Sequence, residues 1–282
     1  MKQPTCALLV LATAALGIVP AAADPFVFST GNPNGLMATA SRPDIPPGTE
    51  IESADDFILT KETKLTSATF TGLLPSGAPL TNVTDVVVAI YRVFPKDSTT
   101  PPDGRVPTRT NSPSDVAFDS RDSAASTLTF ISAILSASFT AQNSVLNGIH
   151  PLPNVTTLGE GPVTGEEVQF TVNFTSPFDL PADHYFFVPQ IQLSSGNFFW
   201  LSAADPIVGG TGPFTPDLQE WIRNSALDPD WLRVATDIVG VAPPVFNATF
   251  SLTGVTVPEP SSMFLLASGL FALGLIRRRR SS

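Results

Sequence analysis

The stretch EVQFTVNFT, residues 167–175, alternates apolar and polar residues with a period of two. Successive side chains of an extended strand point to opposite faces, so one face of this segment is apolar and the other is polar. The pattern predicts a half-buried β-strand of an antiparallel sheet with one wet face. The buried set is Val168, Phe170, Val172 and Phe174, and the wet set is Gln169, Thr171, Asn173 and Thr175.

Two further stretches extend this pattern along the chain. In FNATFSLT, residues 246–253, it predicts that the four apolar residues face inwards and that the polar ones, Asn247 and Thr249 among them, face outwards. The run VVVAI, residues 86–90, is apolar at every position, which predicts a central strand covered on both faces. Additional strands are predicted at residues 56–60, 64–73, 127–140, 184–193 and 197–203.

The segments between these strands are rich in turn-forming residues, with 28 prolines and 19 glycines in the chain. Only TPDLQEWIRN, residues 215–224, predicts a short helix, because Leu218, Trp221 and Ile222 would share one of its faces. Strands without alternating helices and without an internal repeat predict an all-β fold with a single body. We expect an antiparallel β-sandwich of jelly-roll type.

The N-terminus has the three parts of a secretory signal. Lys2 is followed by an apolar run and by the small residues from Ala21 to Ala23, after which we predict cleavage. Residues 1–23 are therefore interpreted as a signal peptide with a helical apolar segment. The single cysteine, Cys6, lies within this signal. The body is then expected to lack disulfides, thiol nucleophiles and cysteine ligands for metals.

The body, residues 24–256, is acidic. Without Lys2 and the arginines at 277–280 the chain keeps 10 of its 15 basic residues, and without Glu259 it keeps 24 of its 25 acidic ones, so the body carries about −14. Such a charge repels phosphate backbones and anionic headgroups, so nucleic acid and peripheral membrane binding are not expected. Solubility, or attraction for divalent cations, fits this charge better.

The C-terminal residues 257–282 combine three features in order. Val257 to Pro260 reads Val-Pro-Glu-Pro, the 14 residues from Met263 to Ile276 carry no charge, and Arg277 to Arg280 follow. As a helix, the uncharged run would cover roughly 21 Å of a hydrocarbon core of about 30 Å. We predict a short transmembrane helix over about 261–276. The arginines predict a cytoplasmic end, which places the body across the inner membrane.

This tail resembles the PEP-CTERM sorting signal of Gram-negative bacteria over about the last 26 residues. The resemblance implies processing by an exosortase, a membrane cysteine transpeptidase, after the tail has resided transiently in the inner membrane. It then implies delivery to the cell surface or the exopolysaccharide matrix, and nothing about the chemistry of the body. Pro258, Glu259 and Pro260 correspond to the recognition tripeptide, and Arg277, Arg278, Arg279 and Arg280 to the basic stop.

Aspartates in several places of the body offer the hard oxygen ligands that calcium prefers. Asp115, Asp119 and Asp122 form the candidate metal set, and the adjacent Asp55 and Asp56 are a further source of such ligands. None of them fits the calcium loop with alternating aspartates, a glycine and a distal glutamate. Ca²⁺ is the one cofactor considered, and ordinary turn aspartates of an acidic exported protein are the open alternative.

The segment LDPDW, residues 227–231, is the candidate ligand-binding group. An exposed aromatic ring stacks well on the apolar face of a sugar, so Trp231 with Asp228 and Asp230 predicts exopolysaccharide as a partner. Packing in the core is the alternative for this tryptophan and for the other two.

Catalysis has little support in the sequence. His150 and His184 are the only histidines, and neither a G-x-S-x-G nor an H-E-x-x-H motif occurs. We therefore expect no enzyme but a structural or glycan-binding component of the cell surface or matrix. The alternative is a secreted hydrolase acting on matrix glycans, which would place a histidine or a carboxylate pair in a pocket.

Overall fold

The structure, a computed structural model, describes residues 23–44, 49–75, 79–101, 104–150, 152, 155–240 and 245–258. Asp24–Val257 form one compact unit. The signal peptide before Ala23, the transmembrane helix and the basic tail are predictions that lie outside the described residues. Within those residues, no helix has the length and apolar character needed to cross a membrane.

The described residues contain fifteen β-strands and two short helical turns, Leu80–Asn82 of 3-10 type and Val234–Val239 of π type. The strands are β1 Pro25–Ser29, β2 Met37–Ala40, β3 Ile51–Leu59, β4 Thr63–Pro75, β5 Val83–Arg92, β6 Asp119–Asp122, β7 Leu128–Ala141, β8 Asn143–Val145, β9 Val163–Leu180, β10 Asp183–Leu193, β11 Phe199–Ala204, β12 Trp221–Asn224, β13 Leu232–Arg233, β14 Phe246–Ala248 and β15 Phe250–Thr256.

These strands form two sheets. In the large sheet, β4 pairs with β9 on one edge and with β15 and β11 on the other, and β7, β1, β2, β8 and β14 complete the sheet. The small sheet has the order β13-β12-β3-β10-β5-β6. Among the described strands, the pairs are antiparallel except for β2 with β8. The prediction of an all-β fold with antiparallel pairing is confirmed.

The apolar faces of the two sheets pack against each other. The alternation predicted for residues 167–175 is confirmed, since its apolar side chains are buried and its polar ones are half-buried or exposed. From the small sheet, Phe187 stacks on Phe250 of the large sheet with 5.0 Å between ring centroids. One apolar core thus lies between the sheets.

The outer face of the small sheet is covered by the long connections between strands. In β5, Val88 and Ile90 face the core between the sheets, while Ala89 and Tyr91 face a second apolar cluster that includes Trp231. The predicted strand with both faces covered is confirmed.

The predicted helix over residues 215–224 is wrong, because Trp221–Asn224 form β12 and pair with β3. In this strand Trp221 and Ile222 point to opposite faces and join different apolar clusters. A helix here would leave one edge of β3 without these hydrogen-bond partners. Strand pairing therefore outweighs the local helical pattern.

The polar side of residues 246–253 is only partly wet, which corrects the sequence prediction. Asn247 and Thr249 are buried, because the chain here passes between β11 and β4. The Thr249 hydroxyl donates to the carbonyl oxygens of Leu201 at 2.8 Å and Thr71 at 3.0 Å. Its burial is thus compensated by hydrogen bonds to the main chain.

Candidate functional site

The predicted sugar-binding residues lie around two buried arginines on the covered face of the small sheet. Arg223 of β12 pairs with Asp228 at 2.8 Å, and its guanidinium carbon lies 4.4 Å from the ring centroid of Trp231. Arg109 forms an ion pair with Asp230 at 3.3 Å. The structure therefore brings the three predicted residues together around these arginines, with Asp230 and Trp231 buried and Asp228 exposed at the surface.

Trp231 has no exposed ring face for a sugar. The residue is 0% exposed, its Nε1 donates to the carbonyl of Ser114 at 3.2 Å, and Tyr91 contacts its ring edge-on. Trp200 and Trp221 are buried as well. The loop after β12 docks on the small sheet, so this tryptophan occupies the core position that was the alternative interpretation.

Each aspartate of the predicted metal set has a protein partner of its own. Asp115 pairs with the buried Arg109, and Asp119 pairs with Arg121 at 2.6 Å. Asp122 accepts a hydrogen bond from the amide two residues further along the chain. Among the described residues, no three acidic, histidine or cysteine side chains are arranged to hold a metal ion.

The residues predicted for sorting and cleavage lie at the limits of the described chain. Ala23 is exposed, and Pro258 follows the end of β15. The predicted residues outside the described part are Ala21, Glu259, Pro260, Arg277, Arg278, Arg279 and Arg280.

A group of buried acids lies between β3, β12 and β14, and sequence reasoning identified only the adjacent aspartates of β3. Asp55 and Glu220 are each 1% exposed. The amide of Ala248 donates to Asp55 Oδ2 at 2.9 Å, and Asn247 Nδ2 donates to Asp217 at 3.2 Å. We call these residues the inner carboxylate cluster: Asp55, Asp217, Glu220 and Asn247.

Burial dominates the electrostatics of this cluster. It raises the pKa of Glu220 to about 8, although a hydrogen bond from Thr39 opposes the shift. Burial, followed by the negative charge of Asp56, raises the pKa of Asp55 well above its usual range. Burial also raises the pKa of Asp217 to about 6. Near neutral pH such carboxyl groups are stable only when they are protonated or matched by positive charge.

Asp56 points to the opposite face of β3 from Asp55. Its Oδ2 lies 2.6 Å from His184 Nε2, and the amide of Leu218 donates to its Oδ1 at 2.9 Å. Burial raises the pKa of Asp56, and the hydrogen bond with His184 offsets part of that effect. The two side chains therefore satisfy each other beneath the covering loop.

The outer face of the large sheet carries two uncharged rows of side chains across β7, β9, β4 and β15. The row members are half-buried or exposed, and the hydroxyls of Thr69 and Ser251 are 2.6 Å apart. This surface contrasts with the net charge of −10 of the chain. We call these eight residues the outer polar face: Ile131, Thr171, Thr69 and Ser251 in one row, and Thr129, Asn173, Ser67 and Thr253 in the next.

The fold and the tail define a two-sheet all-β protein with a C-terminal sorting segment. Residues 256–280 match the family model of the PEP-CTERM protein-sorting motif. The chain therefore carries this motif, which implies an extracellular protein processed by an exosortase. No curated protein and no solved structure matches the chain.

Proposed function

We propose that the protein is a non-enzymatic component of the cell surface or exopolysaccharide matrix that contacts glycan through the outer polar face. The sorting motif supports the location. The uncharged hydroxyl and amide rows carry the glycan contact, because such groups both donate and accept hydrogen bonds. A neutral surface also avoids placing a desolvated charge against a sugar. Export through a signal peptide cleaved after Ala23 is part of this proposal.

The exposed groups favour a polar and aliphatic contact over aromatic stacking. Ile131, at the end of one row, is 69% exposed and offers apolar surface beside the hydroxyls. The three tryptophans and two tyrosines of the chain are at most 5% exposed. A glycan on this face would therefore be held mainly by hydrogen bonds.

The test is co-sedimentation of the full chain, purified in mild detergent, with the exopolysaccharide of its host. We expect saturable binding with calcium and with chelator. Thr171→Glu puts a carboxylate at the centre of the outer polar face, and burying it unpaired costs about 1–3 kcal/mol, so affinity should fall about tenfold or more. The matched control is Ser120→Glu, an exposed position on the small sheet.

The absence of saturable binding by the unmodified protein would sink the proposal. So would an equal loss of affinity in the two variants, because the contact would then follow overall charge and not the outer polar face.

A secreted hydrolase acting on matrix glycans is the second candidate, and one observation favours it. Asp217 lines a cavity of about 460 Å³ together with Trp221 and Arg233. Its pKa of about 6, raised mainly by burial, suits a general acid. We would measure soluble sugars released from the exopolysaccharide. Release that disappears in Asp217→Asn supports the hydrolase, and no release by the unmodified protein rejects it.

We also propose that the body is a jelly roll. The support is nested antiparallel pairing: β5 with β6, β4 with β9, β3 with β10 and β2 with β11. A long hairpin rolled into two sheets has such nesting, with successive strands alternating between the sheets. β1, β7, β8 and β12 to β15 are then additions to that frame.

A further inference from the structure

We propose that Asp55, Glu220 and Asn247 form a buried binding site for a hard divalent cation, with Ca²⁺ as the probe ion. The site lies inside the body, apart from the outer polar face, and the proposed glycan contact does not depend on it. It shares no residue with the candidate metal set Asp115, Asp119 and Asp122, and it includes Asp55, which the sequence offered as a further source of calcium ligands.

Two residues of the proposed site contact β14. The Glu220 amide donates to the carbonyl of Phe246 at 2.7 Å, and the Ala248 amide donates to Asp55 Oδ2 at 2.9 Å. In an extended strand, the C=O of one residue and the N–H two residues further on project from the same edge. The Asp55 carboxylate and the Glu220 main chain therefore meet one edge of β14, on either side of Asn247.

Three buried side-chain oxygens of the described residues at this site lack a hydrogen-bond donor. Asp55 Oδ1, Glu220 Oε2 and Asn247 Oδ1 receive no hydrogen bond from the described residues, and the three residues are at most 1% exposed. Buried acceptors are nearly always paired, because an unpaired one costs free energy. The unpaired oxygen of Asn247 belongs to an amide, so protonation of the acids does not supply it with a donor of its own. The Nδ2 of the same side chain already donates to Asp217 and to the carbonyl of Ala204.

Among the described residues, no lysine or arginine forms an ion pair with Asp55, Glu220 or Asp217. Two buried aspartates on the other side of β3, Asp115 and Asp230, contrast with this, because both pair with Arg109. One divalent cation would neutralise both fully buried carboxylates.

The donor set selects the type of cation. Two carboxylates and an amide oxygen are hard ligands, which Ca²⁺ prefers, while Zn²⁺ favours nitrogen and sulfur ligands. Extracellular calcium sites commonly have dissociation constants of about 10⁻⁴–10⁻³ M. We expect an affinity in this range for the full chain.

The test is calcium titration of the full chain in mild detergent at neutral pH, by calorimetry, with the melting temperature measured in calcium and in chelator. We expect one ion per chain and a melting temperature that rises with calcium concentration, because an ion that binds only the folded state stabilises it. Both readouts use the unmodified protein and so do not depend on any variant folding.

Two variants then locate the ion. Glu220→Gln and Asp55→Asn should each lower calcium affinity at least about tenfold, while Asp119→Asn, the matched control in β6, should leave it unchanged. Far-ultraviolet circular dichroism reports whether each variant is folded. Equal melting temperatures in calcium and chelator for the unmodified protein would overturn the site and leave protons to neutralise the acids. Unchanged affinity in a folded Glu220→Gln variant would overturn it as well.

Discussion

The buried Glu220 predicts an unusual dependence of stability on pH in the absence of divalent cations. Its pKa rises from the usual 4.5 to about 8 in the folded protein, mainly through burial. Between these values the folded state keeps a proton that the unfolded state has released. The stabilisation is therefore fully present below about pH 4.5 and is lost as the pH rises through about 8.

The magnitude follows from the size of that shift. Each unit of pKa difference corresponds to 1.36 kcal/mol, so Glu220 alone lowers the free energy of unfolding by about 4–5 kcal/mol between pH 4.5 and pH 8. The raised pKa values of Asp55, Asp56 and Asp217 act in the same direction. Among the described residues, His184 of β10 is the one basic side chain that hydrogen-bonds to any of these acids, and its partner is Asp56.

Urea unfolding of the full chain in chelator and mild detergent, from pH 5 to pH 8, measures this slope. In Glu220→Gln the glutamine cannot take up the proton, so the slope should become less steep by about 1.4 kcal/mol per pH unit. Asp119→Asn, the control in β6, should keep the slope of the unmodified protein. Parallel pH profiles for Glu220→Gln and the unmodified protein would refute the reasoning, as would a stability that rises from pH 5 to pH 8.

Three further predictions test the buried framework. Arg109→Met leaves Asp115 buried without its cation and should cost about 3–5 kcal/mol in urea unfolding; a cost below about 1 kcal/mol contradicts the ion-pair network. Phe187→Ala removes a ring that joins the two sheets and should cost about 3–5 kcal/mol, while Ile131→Ala, at an exposed position, should cost less than about 1 kcal/mol. Trp231→Phe should lower the melting temperature but leave the affinity for exopolysaccharide unchanged, and weaker glycan binding by a folded variant would place the ring at a binding surface.

The buried and exposed faces of a strand could be predicted wherever burial follows from the alternation of residues within that strand. The alternation in residues 167–175 decided which side chains of β9 are wet, because the period of an extended chain is independent of its partners. The same rule misplaced Asn247 and Thr249, which lie at the junction of several strands. The helical pattern around Trp221 was overridden by pairing with β3, a contact that spans much of the chain.

The candidate sites were harder to predict than the strands. The sequence does not distinguish a charged side chain that binds a ligand from one that pairs with an arginine. Asp115 was predicted as a metal ligand and Asp228 and Asp230 as sugar-binding residues, and in the structure they pair with Arg109 and Arg223. The adjacent aspartates inside the apolar strand β3 were a signal of a buried polar group. Nothing near them in the sequence pointed to the residues that complete the inner carboxylate cluster.

The sequence by itself determined the strand content, the two faces of β9 and the C-terminal sorting motif at residues 256–280, because each depends on residues close together in the chain. Only the tertiary structure decided which charges are neutralised and which are not. Asp55 meets the amide of Ala248 across 193 positions, and Glu52 meets Arg223 across 171. A buried charge is stable or costly according to such distant partners. The pairing of β3 with β12 brings Glu52 to Arg223, and the packing of the two sheets brings Asp55 to Ala248.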